Sequence, residues 1–339
     1  MSSQAIIQML IRAELVWGFG FDSNSAGVTE FSGGGTRMKV VLFCGGHGLR
    51  IRDSESIPKP LVQIGYRPVI WHVMKYYANF GHKDFILCLG YGADQIKKYF
   101  LEYSECVSND FVLSCGGKKV ELYNSDIQDW RITFADSGVS SNIGQRLKSV
   151  ERYLDGEETF LANYSDGLTD LPLPAQIDDF KRQDKIASFL CVLPNLSYHV
   201  ISMEPGSSLI SGVHAIRDGS VRINGGYFVF KKEIFDYLRD GEELVLEPFQ
   251  RLIREKQLIG YSYDGFWAGM DTFKDRQELE SLWASGSAPW HVWKENGRID
   301  GTATNGTQRL AAPVPVAEFL DRRHGVGNGI TSPRKLAAI

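Results

Sequence analysis

Three glycines in four positions, Gly45-Gly46-His47-Gly48, followed by Leu49 and Arg50, stand directly after the apolar run Met38 to Cys44. Glycines at this density let the backbone turn tightly and approach a ligand, with amide hydrogens free for phosphate oxygens. The turn is not a P-loop, because no Gly-Lys-Ser/Thr follows at the required spacing. Nor is it the dinucleotide fingerprint, because Ile51 stands where the third glycine belongs. A plain strand-to-helix turn is the alternative. A second basic group follows in Pro58-Lys59-Pro60, where prolines on both sides stiffen the backbone and set the lysine's direction. An aimed lysine and a loop arginine suit a triphosphate, whose transfer needs charge neutralised in the transition state. Taken alone, Lys59 also fits a surface lysine in a turn.

Two carboxylates complete the chemistry. Asp166 lies in the run Asn163-Tyr164-Ser165-Asp166-Gly167, which ends a strand pattern, and Asp271 lies in Gly269-Met270-Asp271-Thr272, ahead of a helical pattern. Magnesium keeps several waters and takes one or two protein carboxylates plus substrate phosphates, so two aspartates at one edge of a sheet would hold it. The same residues also fit humbler roles: Asp271 as a helix N-cap and Asp166 as a turn former.

The elements that must position these groups alternate strand and helix. Buried strands are expected at 38–44, 85–89, 159–164, 186–193 and 227–230. Helices are expected at 93–103, 172–182, 231–239, 247–255 and 272–284, and another beginning at Pro68, with Gly81 as its left-handed stop. Such a series predicts an α/β fold with a doubly wound, mostly parallel sheet and ligands at the carboxyl ends of its strands. No internal repeat is visible.

With 339 residues, 43% hydrophobic and 23% charged, the chain has the composition of a soluble globular protein with ample core. A net charge of −4 gives no pull toward nucleic acid or anionic membranes, so an anionic substrate must be held by local donors. The 5 cysteines are odd in number and lack metal-site spacing, as expected of reduced thiols in the cytoplasm. Residues 5–21 are apolar but carry Gln8, Arg12 and Glu14, and lack a basic start and cleavage site, so no signal peptide is expected. Residues 1–37 read as a flexible extension, 38–294 as the folded domain, and 295–339 as a disordered tail with a short helix from Val316 to Arg323.

Residues 38–294 resemble the sugar-1-phosphate nucleotidyltransferases, and most closely the glucose-1-phosphate cytidylyltransferases. The resemblance is carried by the strand and Gly-Gly-x-Gly-x-Arg loop at 39–50, Pro58-Lys59-Pro60 with Gln63-Ile64-Gly65, Trp71-His72-Val73-Met74-Lys75 and Asp84-Phe85-Ile86. It continues through Gly90-Tyr91, Tyr164-Ser165-Asp166-Gly167, Ile223-Asn224-Gly225-Gly226-Tyr227-Phe228-Val229, Met270-Asp271-Thr272, Leu282-Trp283 and Ala288-Pro289-Trp290. It implies a Rossmann-like nucleotidyltransferase fold with a smaller sugar-binding subregion. It further implies that Gly45, Gly46, His47, Gly48, Leu49 and Arg50 cradle a nucleoside triphosphate and that Lys59 contacts its phosphates. Asp136-Ser137-Gly138, Ser141 and Arg146 match the nucleotide-binding segments, and Ser165, standing where the family usually has glycine, is expected to join them beside the metal ligand. Asp166 and Asp271 match the Mg2+ ligands. Asn224, Gly225 and Glu247 match positions that hold the sugar 1-phosphate. Arg50, Lys59 and Asp166 are the expected catalytic groups. A homo-oligomer is implied as well, with Trp283 to Trp293 as a subunit contact.

The chain departs from the family at several points. Leu49 replaces a threonine, and the family's Glu-Lys-Pro triplet upstream of Asn224 is replaced by His214-Ala215-Ile216, with Arg217 offering a replacement charge. Residues 193–212 also diverge. Three functions remain in view: CTP with glucose 1-phosphate, the same chemistry with another sugar phosphate or with dTTP or UTP, and a non-catalytic nucleotide-sugar-binding protein. A glycosyltransferase would call for an Asp-x-Asp at the strand end, and none follows Tyr164.

Overall fold

The computed structural model describes residues 37–46, 57–194, 199–216, 221–297 and 314–315. The expected N-terminal extension, most of the tail with its short helix, and the positions His47, Gly48, Leu49, Arg50 and Arg217 lie outside the described residues.

Eight strands build the main sheet: β1 Lys39–Phe43, β2 Asp84–Leu89, β3 Arg131–Asp136, β4 Thr159–Tyr164, β5 Ala187–Val192, β6 Ile223–Asn224, β7 Phe228–Lys231 and β8 Leu258–Tyr263. Their spatial order is β3-β2-β1-β4-β7-β5, with β6 and β8 also paired to β5. β1 runs parallel to β2 and β4, β2 to β3, and β5 to β8. β7 is antiparallel to both β4 and β5, and β6 to β5, so the sheet is mixed and mostly parallel. From β1 the chain steps outward through β2 to β3 and then returns to the other side of β1 at β4. The carboxyl end of β1 is therefore a topological switch point, where open α/β sheets bind their ligands.

Successive side chains of a strand face opposite ways. Val40 and Leu42 of β1, with Phe85, Leu87 and Leu89 of β2, enter one core; Val41, Phe43, Ile86 and Cys88 enter the other. The first core is covered by α1 Val69–Asn79, α2 Ala93–Leu101, α4 Leu173–Gln183 and α6 Phe273–Ala284; the second by α3 Ile143–Ser149 and α5 Glu247–Arg254. Helices on both faces make the sheet doubly wound.

Several local readings need correction. Pro68 is the extended N-cap of α1 (φ −72°, ψ 158°) rather than its first helical residue. Residues 232–237 form 3-10 turns instead of an α-helix. The tail contributes Val314–Pro315, antiparallel to Lys119–Leu122 of a peripheral hairpin. Residues 199–203 and 210–215 pair as a separate two-stranded ribbon, which contains His214.

The aromatic segment at 283–293 clamps α1 from within the same chain. Trp290 is fully buried and its Nε1 donates to His72 Nδ1 at 3.4 Å, while His72 Nε2 pairs with the Ile64 carbonyl at 3.0 Å. The rings of Trp283 and Trp293 also stand against His72. Trp290 is thus spent on internal packing rather than on the subunit contact expected of this segment. His72 is a satisfied core histidine, and burial pushes its pKa down to about 4.

Candidate active site

Lys59 opens a short 3-10 turn, Lys59–Leu61, entered from extended Pro58 (φ −63°, ψ 141°) and followed by buried Pro60. The prolines fix the backbone on both sides and so aim the side chain at two carboxylates. Its ammonium contacts Asp166 Oδ2 and donates to Asp271 Oδ1 at 2.7 Å. Burial works against this charge, but the two carboxylates outweigh it and hold the lysine's pKa above its ordinary value.

The convergence of two aspartates so distant in sequence has a backbone cause. Just beyond β4, residues Gly167–Thr169 pair antiparallel with Trp267–Gly269, in a register that sets Gly167 opposite Gly269. The amide of Met270 then donates to the Asp166 carbonyl at 3.0 Å, which places the following residue, Asp271, beside Asp166. Asp271 is not the N-cap of α6. That role belongs to Thr272, whose hydroxyl accepts from Asp275 N at 3.2 Å while the Asp275 carboxylate accepts from Thr272 N at 2.7 Å. With the capping box complete, the Asp271 carboxylate is left to face Lys59.

The glycine turn at the end of β1 is held from beneath by Arg146. This arginine, 3% exposed, donates to the carbonyls of Gly45 (3.0 Å), Leu89 (3.3 Å), Gly138 (2.9 Å) and Val139 (3.3 Å) and to Ser137 Oγ (2.8 Å). A Cβ on Gly45 would lie 1.9 Å from Arg146 Nη1, so only glycine admits this approach. Sequence reasoning set Arg146 among the nucleotide-binding groups; here its donors are committed to the ends of β1, β2 and β3. Ser141 likewise bonds the Ser137 carbonyl, and Ser165 donates to the Phe43 carbonyl at 2.9 Å, pinning the end of β4 to β1. Gly46 is exposed, with nothing within 4 Å of the place a Cβ would occupy, so its backbone borders open space.

On β6, Asn224 turns its Oδ1 to Gly226 N at 2.9 Å, and its Nδ2 lies 3.5 Å from the Tyr164 hydroxyl. Burial, reinforced by the Glu243 carboxylate, pushes the Tyr164 phenol up to about 12 and keeps it neutral. Gly225 accepts from Trp267 Nε1 at 2.9 Å. Glu247 is exposed in the first turn of α5 and lines an open hollow with Leu246, Gln250, Arg251 and Arg254. Sequence reasoning passed over Tyr164 and Trp267 as site residues. The available signal was a glycine beside each of Asp166, Asn224 and Met270-Asp271.

Could this site take a divalent cation? Among the described residues no group of three or more His, Cys, Asp or Glu side chains is arranged to hold a metal. Magnesium does not require one, since one or two carboxylates suffice beside a substrate's phosphates. The Lys59 ammonium shows that a single positive centre can touch one oxygen from each aspartate at once. An all-oxygen, doubly anionic pair is the donor set a hard divalent ion prefers. The residues fit.

No protein-family model matches the chain. Among solved structures, a UDP-glucose pyrophosphorylase from Acinetobacter baumanii superimposes with a TM-score of 0.53 at 15% identity, covering 77% of this chain and 98% of that one. The fold is therefore that of the sugar nucleotidyltransferases. The glucose-1-phosphate cytidylyltransferase of Salmonella typhi is 36% identical over 259 residues, 76% of this chain and 100% of that protein. The protein of Bacillus subtilis (strain 168) named probable glucose-1-phosphate cytidylyltransferase is 35% identical, also over 259 residues. The chain belongs to the sugar-1-phosphate nucleotidyltransferase family and is an enzyme of that class, similar in sequence to the glucose-1-phosphate cytidylyltransferases.

Proposed function

We propose that this enzyme transfers the cytidylyl group of CTP to glucose 1-phosphate, releasing pyrophosphate, with Mg2+ at Asp166 and Asp271. The observation that carries the reading is the meeting of both carboxylates on Lys59 Nζ at the switch point of the sheet. The relatives that cover their full length against this chain bear the name of the cytidylyl reaction.

In this reaction an oxygen of the sugar phosphate attacks the α-phosphorus and pyrophosphate departs on the opposite side. No covalent enzyme intermediate is required, so the protein's work is positioning and charge neutralisation. The turn at Gly45 and Gly46 offers backbone donors to the triphosphate, and Arg146 with Ser165 keeps that turn in register with β4. Lys59 supplies the positive charge near the phosphates. Arg50 and the rest of the glycine turn, His47, Gly48 and Leu49, take their nucleotide-binding roles from the family resemblance. Asn224, Gly225 and Glu247 form the sugar side, with Arg217 as the added cation there. When bound, magnesium supplies Lewis-acid charge to the phosphate being transferred. The expected setting is the cytoplasm, consistent with 5 free cysteines; among the described residues no helix is long and apolar enough to cross a membrane.

The test is pyrophosphate release across CTP, UTP and dTTP combined with a panel of sugar 1-phosphates, with and without magnesium. CTP with glucose 1-phosphate is expected to give the highest kcat/KM. A second reading, with another sugar phosphate as acceptor, is favoured by one observation: the ribbon residues standing where the family has Glu-Lys-Pro include an exposed His214. Faster turnover with a different sugar would establish it. Ligand-induced thermal shifts without turnover of any pair would show a binding protein instead.

A further inference from the structure

The three segments that carry Asp166, Asn224 and Asp271 each set a glycine against one indole ring. Gly225, next to Asn224, accepts from Trp267 Nε1 at 2.9 Å, and a Cβ there would lie 3.1 Å from that nitrogen. At Gly167, next to Asp166, a Cβ would lie 3.6 Å from the same nitrogen. At Gly269, two residues before Asp271, it would lie 3.3 Å from Trp267 Cη2 and 3.7 Å from Asp271 Oδ2. The ring itself sits on the short ladder whose register brings the two aspartates together.

We infer that Trp267 is the positioning residue of this centre: one rigid indole, wedged among Gly167, Gly225 and Gly269, sets the spacing of the aspartate pair from the sugar-binding Asn224. The physical basis is packing. A rigid, close-packed group transmits position, whereas a gap lets three loop ends settle independently. Reacting groups misplaced by about 1 Å lose rate steeply, about a hundredfold. Trp267 makes no direct claim on substrate; it acts through the groups it separates. The inference deepens the proposed function and rests on the Asp166–Asp271 pair as the cation site.

The experiment reads cation affinity directly, by Mn2+ titration followed by electron paramagnetic resonance without nucleotide, on wild type, Trp267→Phe, Gly269→Ala and the double variant. Phenylalanine keeps an apolar ring but loses the Nε1 donor and does not reach the Cη2 position. Trp267→Phe is expected to weaken Mn2+ binding about tenfold and to raise KM for the sugar phosphate, leaving KM for the nucleotide within about twofold. Gly269→Ala puts a methyl group 3.3 Å from the indole Cη2 and so displaces the ring, which should weaken Mn2+ binding in the wild-type background. In the Trp267→Phe background it should add nothing, since the atom it strikes is gone. A merely structural tryptophan would lower Tm in both single variants and leave Mn2+ affinity untouched; that result, or penalties that multiply in the double variant, overturns the inference. Failure of the wild type itself to bind Mn2+ overturns the cation site and the inference together, and so is told apart from failure of the inference alone.

Discussion

At the scale of single residues, the centre is a balance of charge. One ammonium, 15% exposed in its side chain, answers two carboxylates, of which Asp166 is 23% and Asp271 62% exposed. Lys59→Ala leaves the partly buried Asp166 without its counter-charge and removes a cation from the phosphates. Steady-state kinetics are expected to show kcat/KM lowered by about 10²–10³, the usual size for one lost electrostatic group. Lys59→Arg should not restore it, since a planar fork does not fit a pocket built around a point charge. The identities of Lys59, Asp166 and Asp271 were all legible in the sequence, the lysine because two prolines flank it. Their meeting was expected from the family resemblance and not from spacing, because it depends on the Gly167-to-Gly269 register, which short strands of glycine and tryptophan do not announce. Arg146 was offered as a nucleotide-binding residue by the family resemblance, but a sequence does not show that a residue so far along the chain meets the glycine turn, nor which carbonyls take its donors.

At the scale of elements, the turn after β1 depends on close approach beneath it. Gly45→Ala would drive a methyl group into the Arg146 guanidinium. Denaturant unfolding should register a loss of about 1–3 kcal/mol, the range for overpacking a tight interior, and KM for the nucleotide should rise alongside. Unchanged stability would mean that Arg146 moves aside freely and does not hold the turn. The elements themselves were unevenly legible. β1, β2 and β4 are runs of buried apolar residues and stand out. β3 was missed because it lies at the sheet's edge, with polar and apolar residues mixed along it. α3 was missed because it is only 7 residues long and holds Gly144; its start is fixed by a capping box of Asn142 and Gln145 instead of a long apolar stripe. The stretch at 232–237 has helical spacing, yet its hydrogen bonds close in tighter 3-10 turns.

At the scale of the whole molecule, the buried His72 and His82 make stability depend on pH. Burial lowers the pKa of both His72 and His82 from 6.5 to about 4. Between those values the unfolded chain binds protons that the folded chain refuses, so stability falls as pH drops from 6.5 toward 4 and the loss levels off below. Each histidine contributes a slope of about 1.4 kcal/mol per pH unit inside that window. Urea midpoints measured between pH 7.0 and 5.0, above most carboxylate titrations, should decline steadily; a flat profile would show that the two rings are hydrated. His72→Phe should shallow the slope. The doubly wound fold as a whole was readable from alternating strands and helices. The antiparallel insertion of β7 between β4 and β5 was not, because pairing direction is set by where a strand's neighbours lie and leaves no mark in its own residues.

The most direct test of the central claim is pyrophosphate release from CTP and glucose 1-phosphate with magnesium, comparing wild type with Asp166→Asn and Asp271→Asn. Each substitution removes one anionic oxygen donor with little change of shape. The account predicts turnover by the wild type and a fall of about a hundredfold or more in both variants. Wild-type rates in either variant would contradict it.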